Sequence, residues 1–513
     1  MADLAVLTAV RSEAEAIGGG VMLTGVGMEQ AVTTGARMRE QLAAGTPVAL
    51  AGIARRLDPG LAPGALVVAT ELRTTDGSPP RRLPAAELVA GDLARLGLHV
   101  RTGPLVSSSW PLSAEEEKAF AADGAIAWDM ESAWLAGQLP DHPFAVVRAI
   151  VETGAAGVTG VTGVLGVSGA TGVLGATGAP DAPLRGLGSL LGVRTSLERW
   201  ARASGAHDVF LASPRSFCAG VERAIDIVER ALERFGSPVY VRRQIVHNAH
   251  VVADLEAKGA IFVAELSEAP DGATLVLAAH GVSPAVRSAA ADRPDLTVID
   301  ATCPLVAKVH HEARRYLAQD YQIVLVGHAD HEEVVGTLGE APDRIRLVER
   351  SDDVADLPFS ENDDVAYLTQ TTLSIDEAAE IIDAMRRRFP RLVGPATNDI
   401  CYATQNRQDA VRELARRCEL ILVVGSTNSS NTLRLVEVGR REGCRAELIE
   451  DASEIRLSWL DDVTSIGVTA GASAPEALVR EVVATLGTLG PATVTEHRTV
   501  EESVQFSLPR QVR

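Results

Sequence analysis

The chain has 513 residues, of which 46% are hydrophobic, 23% are charged and 4% are aromatic. This composition excludes a wholly disordered protein, and the length predicts two or more domains. The net charge of −20 argues against a broad surface for nucleic acid or anionic membranes, so we expect neither partner. The N-terminus lacks a basic region before its short apolar run, which is not typical of a signal peptide. Together with five cysteines suited to a reducing compartment, this predicts a cytoplasmic protein.

Residues 1–153 alternate short apolar runs with helix-like runs, the pattern of an α/β domain. The apolar runs are LAVLTAV, VALAGIA, ALVVATEL and FAVVRAIV, and the helix-like runs are QAVTTGARMREQLAAG and WDMESAWLAGQL. A small-molecule site in such a domain would lie at the carboxyl ends of the strands.

Several motifs of this segment resemble the nucleoside phosphorylase and nucleosidase superfamily: RSEAEAI, TGVGMEQA, VALAGIARRLDPGLAPGALVVAT, WDMESAWLA and FAVVRAIVE. In that family the MES motif contacts ribose, and an aspartate shortly after the RAI run protonates the purine. Here Glu152 takes the place of that aspartate, and Ala54-Arg55-Arg56 replaces the usual glycine-rich turn. The resemblance therefore implies a degenerate domain, with an active nucleosidase in a bifunctional protein as the alternative. The remnants of the family's site are Glu13, Met130 and Glu131.

A low-complexity stretch follows, with glycine at every third position from Gly154 through Gly178. Its triplets lack proline, which argues against a collagen helix, and it lacks basic or aromatic flanks, which argues against a membrane span. We expect a linker over residues 154–205 that ends in a short helix between Leu187 and about Ala206.

Residues 206–513 repeat the order strand then helix many times. After Cys218, an apolar helical face is predicted from spacings of three and four residues; it consists of Val221, Ile225, Val228, Leu232 and Phe235. Similar helix-like runs follow Cys303 and Cys401. Other apolar runs end in polar clusters, as in IVHNAHV, LVLAAHGVS and ILVVGSTNSSN, so several strand ends are expected to surround one polar cavity.

Cys218, Cys303 and Cys401 each lie where an apolar, strand-like run stops and a helix-like run begins. They are separated by 85 and 98 residues, too far for a zinc ribbon or a CxxC pair but suited to one thiolate from each of three similar lobes. Three thiolates would leave one iron of a four-iron cluster open to substrate. A zinc site completed by a histidine, or three unrelated buried cysteines, are the alternatives. Cys418 and Cys444 are predicted to be ordinary, partly buried thiols.

Histidines and small polar residues near other strand ends predict a phosphate site. His247, His280, His328 and His331 each follow or end an apolar run. The Ser429-Ser430-Asn431 cluster precedes a helix, where hydroxyl, amide and free backbone N–H groups suit a phosphate, although simple N-capping is the alternative. Ser473 lies at another strand end and has the same two interpretations.

The second segment, from about residue 208 to 513, resembles the 4-hydroxy-3-methylbut-2-enyl diphosphate reductase family. The motifs are FCAGVERAI, VHN, AHGVSP, DATCPLVAKVH, GHADHEEVVGT, TQTTLS, NDICYATQNRQ, NSSN and TAGASAP, in that order. Ser216 stands where the family usually has glycine. The resemblance implies three α/β lobes in a pseudo-threefold arrangement around an iron-sulfur cluster.

The resemblance also implies roles for individual residues. Cys218, Cys303 and Cys401 would ligate one 4Fe-4S cluster per chain, whose fourth iron binds the substrate hydroxyl. Glu333 would donate a proton through Thr371, with His331 beside it helping to hold the substrate. The residues that would bind the diphosphate are His247, His280, Ser429, Ser430, Asn431 and Ser473.

The implied reaction is a two-electron reductive dehydroxylation that yields isopentenyl and dimethylallyl diphosphate, the last step of the methylerythritol phosphate pathway. A ferredoxin or flavodoxin would supply the electrons. Two alternatives remain open at this point. Glu333 could be a solvated helix-start acid in the run of Asp330, Glu332 and Glu333, and the whole segment could be a non-catalytic scaffold that binds zinc and phosphate.

Overall fold

A computed structural model describes residues 4–18, 20–151 and 188–513. The chain divides into two compact units. One contains the chain up to His207 with Ser453–Thr464 and Ala484–Thr493, and the other contains Asp208–Ala452, Ser465–Val483 and Val494–Arg513. The limits 1–153, 154–205 and 206–513 stay predictions. Glu152 and the glycine-rich stretch 154–178 lie outside the described residues.

The first unit is built on a sheet of eight strands. The strand Phe144–Ile150 is buried along its whole length and pairs with both Val48–Arg56 and Leu66–Thr74. The strands are Ala5–Thr8, Val21–Leu23, Val48–Arg56, Leu66–Thr74, Arg81–Arg82, Val100–Ser107, Ala127–Asp129 and Phe144–Ile150. The helices are Arg11–Ile17, Met28–Gln41, Ala86–Arg95, Ala114–Ala122, Ser132–Gln138 and Val193–Ala203. This confirms the α/β class expected from the alternating runs.

One predicted feature of this unit needs correction. The helix expected over WDMESAWLAGQL begins only at Ser132, because Asp129 ends a strand and its carboxylate accepts hydrogen bonds from the backbone N–H groups of Glu131 and Ser132. Ala54-Arg55-Arg56, the residues that replace the usual glycine-rich turn, form the end of the strand Val48–Arg56.

The second unit contains three sheets of four, three and five strands. The pairings in the first two sheets are parallel, and in the third sheet so are those that join Leu420–Val424, Arg445–Ile449, Ser465–Ala470 and His207–Ser213. The first is formed by Val239–Arg242, Ala260–Val263, Thr274–Leu277 and Thr297–Asp300. The second is formed by Gln322–Val326, Ile345–Val348 and Val365–Thr369. The third is formed by His207–Ser213, Leu420–Val424, Arg445–Ile449, Ser465–Ala470 and Ala492–Arg498. Parallel strands need crossover connections, and helices supply them.

Each sheet and its helices form one lobe, so the three α/β lobes implied by the reductase resemblance are confirmed. The first lobe has Ala219–Phe235, Ala249–Ala257 and Pro284–Ala291; the second has Pro304–Ala318, Glu332–Leu338 and Ile375–Arg388; the third has Tyr402–Ala415, Ser430–Arg441 and Glu476–Leu486. Short 3-10 helices lie at Leu266–Glu268, Ser351–Asp356, Ala452–Glu454, Leu457–Trp459 and Arg510–Val512. Of the helices in the described ranges, none has the length and apolarity that crossing a bilayer requires.

The buried face of the helix Ala219–Phe235 is shifted from the predicted one. The predicted Val228 is fully enclosed, together with Ala224, Ile227 and Ala231. The predicted Val221, Ile225 and Leu232 only pack at the border of the core. Phe235 was predicted to be buried and is 41% exposed. The small residue Ala224 lets the helix lie close to the sheet, and this moves the larger residues to the flank.

Candidate active site

The three predicted ligand cysteines are each the N-cap of the first helix of a different lobe. Cys218 precedes Ala219–Phe235, Cys303 precedes Pro304–Ala318 and Cys401 precedes Tyr402–Ala415. Helix N-termini carry a partial positive charge, so all three sulfurs lie where a thiolate is favoured.

Strands end shortly before Cys218 and Cys303, as predicted. For Cys401 the prediction of a preceding strand was wrong, since Val393 makes only an isolated bridge to Ala366. The intervening GPATND run is polar and forms turns, one of them closed by the Asn398 side chain accepting from the N–H of Ile400.

Gly220 leaves open the space between two of the sulfurs. A Cβ atom at this position would lie 2.8 Å from the Sγ of Cys303 and 3.7 Å from the Sγ of Cys218. The first distance is shorter than atomic radii permit, so a larger residue would displace the Cys303 thiol. A glycine at this point keeps a cradle between the sulfurs.

Burial raises the pKa of the Cys303 thiol to about 12 and that of Cys401 to about 11. Both residues lie in a region from which water is largely excluded, and an isolated thiolate there is costly. Cys401 is partly compensated by the backbone N–H of Thr404, which donates to its Sγ at 3.3 Å. The sulfurs thus need a cationic partner to become thiolates, and soft sulfur ligands suit an iron-sulfur group.

The loop before Cys218 is held by the fully buried guanidinium of Arg407. Its Nη2 donates to the carbonyl oxygen of Ser216 at 2.8 Å, and its Nη1 donates to Ala403 at 3.0 Å and to the Glu502 carboxylate at 3.0 Å. Ser216 has a φ of 58°, a conformation that favours glycine and explains why glycine is usual at this position. The serine hydroxyl donates to Glu476 at 2.8 Å, which stabilises the strained residue.

Three of the four predicted histidines form one cluster. The rings of His247 and His280 are stacked with centroids 4.1 Å apart, and His331 meets both edge-on at 5.7 and 5.8 Å. Burial lowers the pKa of His247 to about 4 and that of His331 to about 3, and it lowers the pKa of His280 well below its usual value. The ring of His328 is not part of this cluster and lies near Glu349 and Glu377, although its carbonyl oxygen accepts from the N–H of His331 at 3.0 Å.

The small polar residues of the third lobe lie beside the histidines. The Ser473 hydroxyl donates to the carbonyl oxygen of His247 at 3.0 Å, and the Ser430 hydroxyl lies 3.0 Å from that of Thr372. Asn431 accepts from the N–H of Ala472 at 2.9 Å. Ser429 is the N-cap of Ser430–Arg441 and accepts from the N–H of Thr432. The N-capping alternative is therefore correct for Ser429, and capping leaves its hydroxyl hydrogen available to a ligand.

Glu333 is a buried carboxyl with only 2% of its surface exposed, which contradicts the alternative of a solvated helix-start acid. Its two oxygens accept from the N–H of Thr371 at 2.7 Å and from the hydroxyl of Thr371 at 2.8 Å. Burial raises the pKa of Glu333 to about 7, and the two hydrogen bonds oppose this rise. The carboxyl can therefore hold or release a proton near neutral pH.

A cavity of about 110 Å³ brings these groups together. It is lined by every predicted residue of the reductase-like site: Cys218, His247, His280, Cys303, His331, Glu333, Thr371, Cys401, Ser429, Ser430, Asn431 and Ser473. Sequence reasoning missed Gly220, Thr372, Tyr402 and Phe506, which also line it. The first three lie inside the recognised motifs and could have been found there, but Phe506 lies in the C-terminal tail and carries no motif.

The two remaining cysteines and the three N-terminal candidate residues make contacts within the protein. Cys418 and Cys444 are buried, and the Cys444 thiol donates to the carbonyl oxygen of Cys418 at 3.1 Å, as expected of ordinary thiols. Glu13 is buried and accepts from the N–H groups of Ala9, Val10 and Ile53. Glu131 pairs with the buried Arg148 at 2.8 Å, and Met130 packs beside Trp128.

Single-ion metal sites were also sought. Within the described ranges, no three His, Cys, Asp or Glu side chains are grouped so that they could hold one metal ion. The zinc alternative thus gains no support from the part of the chain that the structure describes. A cluster differs from a single ion in that each thiolate binds its own iron.

Comparisons with known proteins point to one family for most of the second unit. The LytB family, described as LytB protein, matches residues 209–487. The 4-hydroxy-3-methylbut-2-enyl diphosphate reductase of Leifsonia xyli subsp. xyli is 55% identical over 310 residues, 60% of this chain and 92% of that protein. The solved structure of E-1-hydroxy-2-methyl-but-2-enyl-4-diphosphate reductase from Plasmodium falciparum is 38% identical, covers 60% of this chain and 97% of that chain, and has a TM-score of 0.58. A futalosine hydrolase mutant of Helicobacter pylori is 20% identical, covers 29% of this chain and 88% of that chain, and has a TM-score of 0.26.

The hydroxyl of Thr371 should set the titration of Glu333. The variant Thr371→Val removes one donor to the carboxylate, so the pKa of Glu333 should rise further above about 7. Infrared spectroscopy of the carboxyl band against pH measures this change. Thr371→Ser keeps the hydroxyl and should titrate like the unaltered protein; an unchanged titration in Thr371→Val would contradict the assignment.

Proposed function

The chain belongs to the LytB family, and we infer that it catalyses the reduction of (E)-4-hydroxy-3-methylbut-2-enyl diphosphate to isopentenyl diphosphate and dimethylallyl diphosphate. This is the terminal step of the methylerythritol phosphate pathway. The central observation is the single cavity that contains three thiols from three lobes, three uncharged histidines and a buried carboxyl. Reduction, anion binding and proton transfer each have suitable groups there.

We propose that Cys218, Cys303 and Cys401 hold one 4Fe-4S cluster per chain. The cradle beside Gly220 and the three helix N-termini fit a cationic group with thiolate ligands. When bound, such a cluster supplies electrons and, at the iron without a protein ligand, a Lewis acid for the substrate hydroxyl. The protein's part is to keep the sulfurs in place, which the buried Arg407 supports, and to exclude water, which apolar lining residues such as Leu305 and Phe506 support.

The diphosphate would be bound by the histidine cluster together with the serine and asparagine side chains. The hydroxyl groups of Ser429 and Ser430 are donors, and that of Ser473 becomes one when it turns from the carbonyl oxygen of His247. The helix Ser430–Arg441 directs its free N–H groups and its positive end toward the same region. Since His247 and His280 are uncharged before binding, each can accept a proton when a multiply charged anion enters. The Nδ1 of His331 already accepts from the N–H of Glu333, so the neutral His331 ring donates to the anion from Nε2.

The departing hydroxyl needs a proton, and Glu333 is the proposed source. Its pKa of about 7 leaves much of it protonated at neutral pH. The Thr371 hydroxyl, 2.8 Å from the carboxyl, can relay the proton toward the substrate, while His331 lies at the start of the same helix. The reaction consumes two electrons and two protons. One proton leaves with the hydroxyl as water when the carbon–oxygen bond breaks, and the carbon skeleton takes the other at either end of the allylic unit.

We further propose a ferredoxin or flavodoxin as electron donor and a cytoplasmic location, in keeping with the free thiols and the chemistry. The N-terminal segment is proposed to be catalytically inactive, because the Glu13 carboxylate is already occupied by backbone N–H groups of its own unit. Release of free purine from nucleosides by the purified full chain would instead establish a bifunctional enzyme.

The direct test is anaerobic conversion of the substrate by cluster-loaded full chain with a chemical reductant. Both five-carbon diphosphates should form, and chromatography with mass detection measures them. Brown, iron-replete protein that yields neither product would refute the reductase activity. Colourless, zinc-containing protein would favour the scaffold alternative.

The variant Glu333→Gln should retain the cluster but slow turnover about 10²- to 10⁴-fold, because the amide cannot donate the proton. Turnover of the unaltered enzyme should fall as pH rises above about 7, where Glu333 loses its proton, and the variant should lack this dependence. Glu380→Gln, an exposed carboxylate on a helix of the same lobe, is the matched control and should keep full turnover. Normal turnover in Glu333→Gln would exclude it as donor.

The variant Cys303→Ser should fail to retain the cluster, because a hydroxyl is a poor ligand for iron compared with a thiolate. Iron analysis should give about four irons per chain for the unaltered protein and far fewer for the variant. Cys418→Ser is the control, since that thiol is buried away from the cavity and should leave iron content unchanged. Equal iron in both variants would remove Cys303 from the ligand set.

A further inference from the structure

The three clustered histidines differ in what their Nδ1 atoms face. The Nδ1 of His331 accepts from the backbone N–H of Glu333 at 3.2 Å, so the hydrogen of the neutral ring is on Nε2 and can be donated to an anion. The Nδ1 of His247 lies 3.4 Å from the Oε1 of Gln244, which is fixed as an acceptor because Asn428 also donates to it at 2.9 Å. The neutral His247 ring therefore carries its hydrogen on Nδ1.

His280 is the exception, because its Nδ1 is buried and has no hydrogen-bond partner. A carboxylate oxygen of Glu332, the Oε2 atom, lies 3.8 Å from it. This is too long for a hydrogen bond but within reach of a small side-chain rotation. Glu332 is the residue before Glu333, and its other oxygen pairs with Arg243 at 3.3 Å.

We propose that Glu332 is a positioning residue that closes onto the Nδ1 of His280 when the diphosphate binds, so that His280 binds the anion as an imidazolium. A histidine between two anions donates one N–H to each, and both charges stabilise its protonated form. Arg243, released from Glu332, stays at the rim, where its side chain is 43% exposed. This proposal rests on the proposed function, because it requires a diphosphate in the cavity.

The charged groups around His280 and Glu332 are compatible with a movement of Glu332 from Arg243 to His280. On the histidine side, His280 faces only the uncharged rings of His247 and His331 within the cluster. Behind it, His310 of the helix Pro304–Ala318 lies against Gly281 and is already paired with Glu340 at 2.7 Å.

On the rim side, burial raises the pKa of Glu332, and two cations of the first lobe, Arg243 and Arg242, oppose this rise. Both of these arginines also lie near Glu265, at 3.9 and 3.3 Å. Among the described groups that face His280, Glu332 is therefore the carboxylate that can reach the Nδ1 atom without a hydrogen-bond partner.

The test is calorimetric binding of inorganic diphosphate to the cluster-loaded full chain and to Glu332→Gln. Binding heats measured at pH 7 in buffers of different ionisation enthalpy give the number of protons taken up. The variant should bind about tenfold to hundredfold more weakly and should take up fewer protons than the unaltered protein, because His280 then stays neutral. In turnover assays its KM should rise while kcat changes little.

Glu265→Gln is the matched control, since it removes another carboxylate from beside Arg243 but cannot reach His280. It should match the unaltered protein in affinity and proton uptake. Equal affinity and equal proton uptake in Glu332→Gln would overturn the proposal while leaving the reductase assignment intact. Absence of diphosphate binding to the unaltered protein would overturn both the proposal and the assigned diphosphate site. Glu332→Asp, which keeps a carboxylate, should recover part of the lost proton uptake.

Discussion

The convergence of three helix N-termini on one cavity is the constraint on which the rest of the second unit depends. Each lobe contributes one cysteine at the start of its first helix, so the sulfurs come together only if all three lobes pack correctly. Two arginines fix the loops that carry these cysteines. Arg407 binds the carbonyl oxygen before the Cys218 loop, and Arg223 donates to the carbonyl oxygens of Ala301 and Thr302 beside Cys303. Because these guanidinium groups donate to backbone carbonyl oxygens, they fix the path of the chain beside the cysteines. Gly220 keeps the space between the sulfurs free.

The same burial that excludes water also keeps the cavity uncharged before a ligand arrives. Burial lowers the pKa of all three histidines, and it raises the pKa of the Cys303 and Cys401 thiols, so these groups are uncharged without a metal or an anion. Burial also raises the pKa of Glu333, to about 7. A chain with a net charge of −20 would repel an anionic substrate at long range, so binding must rely on groups that gain charge only on contact. A neutral cavity that can take up protons avoids the cost of burying permanent cations, and it links affinity for an anion to the supply of protons needed for the reaction.

Much of the site could be predicted from sequence because its residues lie in short motifs at strand ends. Parallel strands place their carboxyl ends at one edge of a sheet, so the histidines of IVHNAHV and LVLAAHGVS were expected near one another, and His247 and His280 stack at 4.1 Å. What could not be predicted depends on distant partners. Arg407 meets Glu502, 95 residues away, and no local pattern connects them. His328 has the same local setting as His280 but turns toward Glu377, and Cys401 follows turns instead of a strand because its lobe boundary is polar. In each case the local sequence allows more than one contact or backbone conformation, and tertiary packing selects one of them.

The helix start at His331 explains how one short segment can contribute to both protonation and anion binding. His331 caps the helix Glu332–Leu338, and successive helical residues point in directions about 100° apart. Glu333 therefore turns inward to Thr371, while Glu332 lies at the rim between Arg243 and His280. Two adjacent carboxylates are thus given different surroundings, one enclosed and one partly solvated beside cations. Because a carboxyl group titrates according to its surroundings, this arrangement lets the enclosed residue hold a proton while its neighbour remains an anion.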